Sequence, residues 1–366
     1  DAIADYYRCD NANVHRGAHT LSDRATADFE AARNKVVALI NAASNRELIW
    51  TRGTTEAINL VAQSYAKPIL KPGDRIVVSA MEHHANIVPW QMVAAECQAD
   101  VVPVPVTNDG ELDMSAFEGL LDERVKLVAV GHVSNALGTV NPIEDIIRLS
   151  HSAGAKVLID GAQGVPHFEV DVQALDCDFY AFSGHKMYGP TGIGALYGKE
   201  ALLERMPPYH GGGEMIKTVS FDGTTYNELP FKFEAGTPNI GGAVGLGAAV
   251  DFLQSIDRRA MADHEAGLMR YAHSKAESCE GLRRIGCAKQ VAGAFSFLLE
   301  GPHPADVGML LDQQGIAVRT GDHCAQPIMK QFGVPGTARA SFAVYNTMDE
   351  VDRLFAGLEK AKTFLL

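Results

Sequence analysis

No run of the sequence stays apolar for long enough to cross a bilayer, so a membrane-spanning helix is not among the expected elements. The six cysteines, Cys9, Cys97, Cys177, Cys279, Cys287 and Cys324, are scattered and form no C-x-x-C pair. That spacing excludes a disulfide frame and a zinc site, and it reads as reduced thiols in a cytoplasmic protein. No basic cluster offsets the formal net charge of -13, which argues against a nucleic-acid surface. Small molecules or proteins are the expected partners. Internal repeats, low-complexity tracts and long charge runs are missing as well. Because the sequence begins at Asp1, the lack of a targeting signal at that end excludes little.

What is present suits a globular chain with one large domain and one smaller one, since 366 residues can bury a large core. Phe29, Ala32, Val36, Leu39 and Ile40 fall at helical spacing, which predicts a helix from about 21 to 42. Strands are then expected at 47–50, 75–80, 101–106, 125–130, 156–159, 179–182 and 194–197, with helices between most of them. Alternation of this length implies right-handed crossovers and a mainly parallel sheet. Residues 211–242 read as loop-rich, and a long helical stretch over 243–278 is interrupted near Asp257. Further strands at 294–299, 316–319 and 338–343, with helices at 305–313 and 348–364, make a compact α+β unit. The expected class is therefore α/β. It has an N-terminal segment at 1–19, a large sheet domain at 20–250 and a smaller C-terminal domain at 251–366.

The chemistry concentrates between Asp178 and Gly194, DFYAFSGHKMYGPTGIG. A buried strand there ends in Ser183-Gly184-His185-Lys186, where open α/β sheets hold their ligands. Desolvation at such a place lowers a lysine pKa and frees a nucleophilic amine. Flanked by Ser183 and His185, Lys186 is the expected carrier of pyridoxal phosphate. His83, Asn135, Asp160 and Gln163 also follow strands directly and should converge on the same edge. Asp160 would keep a pyridine nitrogen protonated and the ring electron-poor, and Gln163 would meet the ring oxygen. Thr54 and Thr55 open a helix whose N-terminus suits a phosphate, with a plain threonine cap as the alternative.

Glu82-His83-His84 invites a metal reading, but no third ligand has suitable spacing. A histidine stacked on a flat ring fits better, against the alternative of a core histidine. Cys97 and Cys177 lie in apolar surroundings and read as core residues. Cys324, in Arg319-Thr-Gly-Asp-His-Cys-Ala-Gln-Pro327, has polar neighbours and a turn, and is the expected nucleophile. Nearby Arg319 and His323 should favour its thiolate, and Asp322 should oppose it. Arg339 interrupts an apolar strand, and a substrate α-carboxylate is an apt partner for it.

With NVHRG, TRGTTEAIN, EHHANIVPW, DGAQ, SGHKMYGPTGIG, FEAGTPN and RTGDHCAQP in view, nearly the whole chain resembles the group II cysteine desulfurases. These are the SufS/CsdA family of class-V aminotransferase-type enzymes, and SFDG and HCAQP look most like the CsdA, cysteine sulfinate desulfinase, branch. The resemblance implies the fold type I of aspartate-aminotransferase-like enzymes, with a seven-stranded type of sheet and a homodimer. It implies that Lys186 bonds the cofactor and His83 stacks on it, while Thr54, Thr55, Ser183 and His185 bind phosphate with Thr237 of the other subunit. His15, Asn135 and Arg339 would contact substrate, and Cys324 would carry a persulfide to a SufE/CsdE-type acceptor. L-cysteine is the implied substrate, with cysteine sulfinate and selenocysteine as others. Two departures stand out. The family's N-terminal Leu-Asp-x-Ala-Ala-Thr-like segment is not in this sequence, and Asp322 stands where the family often has histidine. A different pyridoxal phosphate reaction, such as transamination or kynurenine hydrolysis, and a sulfur-relay scaffold without turnover are the rival readings.

Overall fold

Seven strands of the computed structural model, which describes residues 1–365, form one sheet in the order β1-β7-β6-β5-β4-β2-β3. They are β1 Leu48–Thr51, β2 Arg75–Ser79, β3 Asp100–Val104, β4 Val125–Gly131, β5 Lys156–Asp160, β6 Phe179–Ser183 and β7 Gly194–Gly198. All run parallel except β7, which pairs antiparallel with both β6 and β1. The carboxyl ends of β1, β2, β4, β5 and β6 therefore meet at one edge. Both faces of the sheet are covered, as parallel strands require. Val157 and Ile159 of β5 pack with Tyr180 and Phe182 on one face, whereas Leu158 packs with Phe179 and Ala181 on the other.

The first face lies beneath the helices α1 Thr20–Leu39 and α4 Ile240–Gln254, which pack together. The second lies beneath α2 Thr54–Val61 and α3 Val88–Cys97, with Ile58, Val61, Trp90 and Val93 fully enclosed. Each such side chain contributes roughly 1.5–3 kcal/mol by leaving water. The helical stretch expected over 243–278 is two helices. Asp257 ends the break by accepting from the Arg259 and Ala260 amides, which caps α5 Arg258–Glu277.

α5 and α6 Met348–Leu365 cover an antiparallel sheet ordered β10-β11-β13-β12. Its strands are β10 Leu282–Arg284, β11 Ala294–Leu299, β12 Arg319–Gly321 and β13 Thr337–Ser341. Several features depart from the expectation, among them β10, where no strand was expected. Residues 211–242 are not all loop, because β8 Ile216–Ser220 and β9 Gly223–Tyr226 form an exposed hairpin. A ribbon that buries neither face needs no apolar alternation, so no periodic signal marked it. The strand expected at 316–319 begins only at Arg319, because 315–318 lie beyond the β13 ladder. Among the described residues no helix is long and apolar enough to cross a membrane.

Candidate active site

The ends of β2, β4, β5 and β6 meet around a cavity lined by Glu82, His83, Asn135, Asp160, Gln163 and Lys186 among others. β6 ends at Ser183, and one 3-10 turn, Gly184–Lys186, brings the lysine into this space. Burial lowers the Lys186 pKa, Asp160 opposes that shift, and Arg339 and Arg319 add to it. The neutral amine is thereby made more accessible. Asp160 is the last residue of β5, and its Oδ1 accepts from the Ala162 amide at 2.9 Å. Burial raises its pKa and Lys186 holds it back.

His83 follows β2 by a few residues, and its Nδ1 accepts from the Ala85 amide at 3.0 Å. The ring proton must then sit on Nε2. Burial, helped by Lys186, pushes the His83 pKa down to about 4, so the ring is neutral in ordinary buffers. A neutral, flat imidazole can stack on another ring without adding charge. Glu82 is no metal ligand here, since both its oxygens accept hydrogen bonds from Ser79, Asn86 and Gly131.

Where β1 turns into α2, the N-cap Gly53 offers no side-chain cap, so the first-turn amides take no partner from it. Thr54 closes this end onto β6, for its amide and hydroxyl both meet Ser183 Oγ at 2.8 Å. Gly53 at φ +151 and Gly194 allow the approach. A Cβ on Gly194 would lie 2.6 Å from the Gly53 Cα. Thr55 and His185 are exposed beside these residues. The result is a polar corner where α2 begins against β6, and a carboxylate, Asp160, on the cavity wall.

The Cys324 loop closes over this space from the small sheet. His323 and Cys324 both take left-handed backbone, at φ 54 and 58, which costs a residue with a Cβ about 1–2 kcal/mol. Four hydrogen bonds hold it there. Asp322 Oδ1 accepts from the Cys324 amide, the His84 amide donates to the Cys324 carbonyl, Asn135 Nδ2 donates to the His323 carbonyl, and the Gln326 amide donates to His84 Nε2. Arg319 Nη2 lies 3.7 Å from Cys324 Sγ. Arg339 Nη1 donates to the Asn135 carbonyl, so the strand-end asparagine and the small-sheet arginine are joined.

Two expectations need correction, those for His323 and Cys97, whereas His15 and Thr237 lie away from this protomer's own cavity. His323 does not act as a cation beside the thiol, because its ring is buried against Thr337 and burial pushes its pKa down to about 4. Arg319 is the cation that touches the thiol, and Arg339 and Lys186 lie within electrostatic reach of it. Cys97 is not a core residue but half-exposed, whereas Cys177 is fully buried. His15 stays outside the cavity. Its Nε2 lies 3.1 Å from Glu30, and its ring meets Phe231 edge-on at 5.0 Å. Thr237 is exposed on a separate groove with Arg52, Glu56 and His210. Glu82 was missed as part of the site, although its place beside His83 pointed to it.

A family model described as aminotransferase class-V matches residues 1–354. A probable cysteine desulfurase of Vibrio cholerae is 54% identical over 365 residues, covering 100% of this chain and 90% of that protein. The cysteine desulfurase CsdA of Escherichia coli, solved in an S-sulfonic acid form, superposes with a TM-score of 0.94 at 46% identity, over 100% of this chain and 91% of that one. The apo cysteine desulfurase of Thermococcus onnurineus gives a TM-score of 0.96 at 40% identity, again over 100% and 91%.

Proposed function

Because the chain belongs to the class-V aminotransferase family, we propose that it is a pyridoxal phosphate-dependent cysteine desulfurase: it releases L-alanine from L-cysteine and keeps the sulfur on Cys324. The observation that carries this is an amine at Lys186, its pKa lowered by burial, on the wall of a cavity to which the Cys324 loop is tied through Asn135 and His84, with Cys324 close enough to act on the Lys186 charge.

The donor set fits the cofactor. Asp160 would face the ring nitrogen, Gln163 the ring oxygen and His83 the ring face, with the amine of Lys186 within the same walls. The uncapped α2 terminus with Thr54, Thr55, Ser183 and His185 would take a phosphate. When bound, the group serves as a sink for the electrons left by loss of the substrate α-proton.

The residues then divide the work. Arg339 and Asn135 hold the substrate carboxylate, and a guanidinium does so with two parallel bonds. Lys186, whose pKa burial lowers, takes the α-proton and later returns protons to the carbon skeleton. Cys324 Sγ bonds to the substrate sulfur as the Cβ–S bond breaks. Overall, Cys324 thiol plus L-cysteine gives Cys324 persulfide plus L-alanine. An acceptor protein of the SufE/CsdE type removes the persulfide sulfur. The working form is a cytoplasmic homodimer, with Thr237 completing the partner's phosphate corner. Cysteine sulfinate and selenocysteine are further substrates, and their more labile leaving groups make the thiol dispensable.

The test is alanine and sulfide release from cysteine by wild type, Lys186→Ala and Cys324→Ala. Both variants should lose desulfuration by about 10³-fold or more. Alanine release at the wild-type rate without Lys186, or a transamination product in its place, would overturn the assignment.

A further inference from the structure

Three buried side chains run in a line toward the cavity wall. Trp90 Nε1 donates to Asn86 Oδ1 at 2.9 Å, and Asn86 Nδ2 donates to Glu82 Oε2 at 2.7 Å. The indole thereby fixes which way Asn86 faces, leaving it only N–H to offer forward. Glu82 Oε1 accepts from the Gly131 amide at 2.9 Å and from the Ser79 hydroxyl. Asn86 and the Gly131 amide can only donate, one to each oxygen. Position 82 must therefore accept at both oxygens, which a carboxyl group does and a carboxamide cannot.

These bonds join three elements. Ser79 ends β2, Asn86 belongs to the turn after His83, and Gly131 ends β4, where it pairs with Asp160 of β5. Glu82 is 2% exposed and shares the cavity wall with His83 and Asp160. We propose that Glu82 is a positioning residue of this site: it locks the His83 turn against the end of β4 and sets a second acidic group beside Asp160. The assignment rests on the cofactor reading above. Burial, with a smaller contribution from Asp160, lifts the Glu82 pKa to about 7, so the two carboxylates sense each other. A ring nitrogen held at Asp160 would meet two acidic groups, which favours its protonated form.

The experiment compares wild type, Glu82→Gln and the double variant Glu82→Gln/Trp90→Phe. It measures the Tm of the cofactor-free chain, the Kd of pyridoxal phosphate titrated into it, and the visible spectrum of the bound cofactor from pH 6 to 9. Glu82→Gln turns an amide toward the Asn86 amide, so its Tm should fall and Kd should rise about tenfold, as when a buried donor loses its acceptor. Its spectrum should also lose part of the wild-type pH dependence. Trp90→Phe lets Asn86 turn over, so the double variant should regain Tm but neither the Kd nor the spectrum. Wild-type affinity and spectrum in Glu82→Gln would overturn the proposal. So would their full recovery in the double variant, because packing alone would then explain the loss. If Glu82→Gln does not fold, Ser79→Ala keeps the carboxylate and removes one donor. It should shift the same spectrum to a smaller degree, and no shift would count against the proposal. A chain that binds the cofactor normally yet yields no alanine sinks the desulfurase reading and leaves the Glu82 measurements intact.

Discussion

Arg319 and Arg339 stand opposite each other across β12 and β13, two guanidinium groups in register with no ion-paired carboxylate on either among the described residues. Like charges placed opposite one another in a sheet repel. Burial and the Arg319 charge together push the Arg339 pKa down to about 10. Such a pair is stabilised by an arriving anion. A substrate carboxylate at Arg339 and a sulfur anion at Arg319 would each relieve the repulsion.

Replacing Arg339 by lysine should therefore act on binding. The fork that matches a carboxylate is lost, and charged hydrogen bonds contribute roughly 1.5–3 kcal/mol. KM for cysteine should rise about 10- to 100-fold with a smaller change in kcat, as read by initial rates of alanine release. An unchanged KM would place the substrate carboxylate elsewhere.

Asp322 is predicted to matter through the loop it holds. Its Oδ1 restrains the Cys324 amide and its Oδ2 accepts from Gln326 Nε2 at 2.8 Å. Asp322→Ala should free the left-handed pair and slow persulfide formation about 3- to 10-fold, an amount comparable to one hydrogen bond. Asp322→Asn, which keeps the Oδ1 acceptor, should retain most of the rate. Equal loss in both variants would point to charge, not to loop geometry.

Acid should weaken the fold. Burial holds His83, His132, His273 and His323 at pKa about 4, against 6.5 for the free side chain. Between those values the unfolded chain binds more protons at these sites, so stability falls as pH drops from about 6.5 to about 4. Glu82 and Asp160, raised by burial, work in the opposite sense. Four histidines outweigh two carboxylates. Tm should thus decline across that window, and His132→Phe should make the decline shallower by about one proton's share. Parallel curves for wild type and variant would exclude His132 as a contributor.

Gly194→Ala tests the corner between β1, β6 and α2. The added Cβ would lie 2.5 Å from the Phe182 carbonyl oxygen and 2.6 Å from the Gly53 Cα, both backbone atoms that cannot swing away. A loss of about 1–3 kcal/mol in stability is expected, together with weaker cofactor retention on dialysis. Normal stability and retention would show that the corner can open without cost.

The sequence alone determined the order of the large-sheet strands with the helices between them, and the polar residues at strand ends. In β5 and β6 each apolar run stops at a polar residue, Asp160 on the cavity wall and Ser183 against Thr54, so periodicity and chemistry change at one point. Only the tertiary structure decided which neighbours act together. Arg339 reaches Asn135 across 204 positions, and the His84 amide meets the Cys324 carbonyl of a loop far along the chain. It also decided that His323 turns inward and Arg319 faces the thiol, and that Glu82 takes three donors. The reason is physical. Local order follows from side-chain period and capping, whereas the direction of a side chain on a left-handed loop and the partner of a buried carboxylate depend on elements far away in the chain.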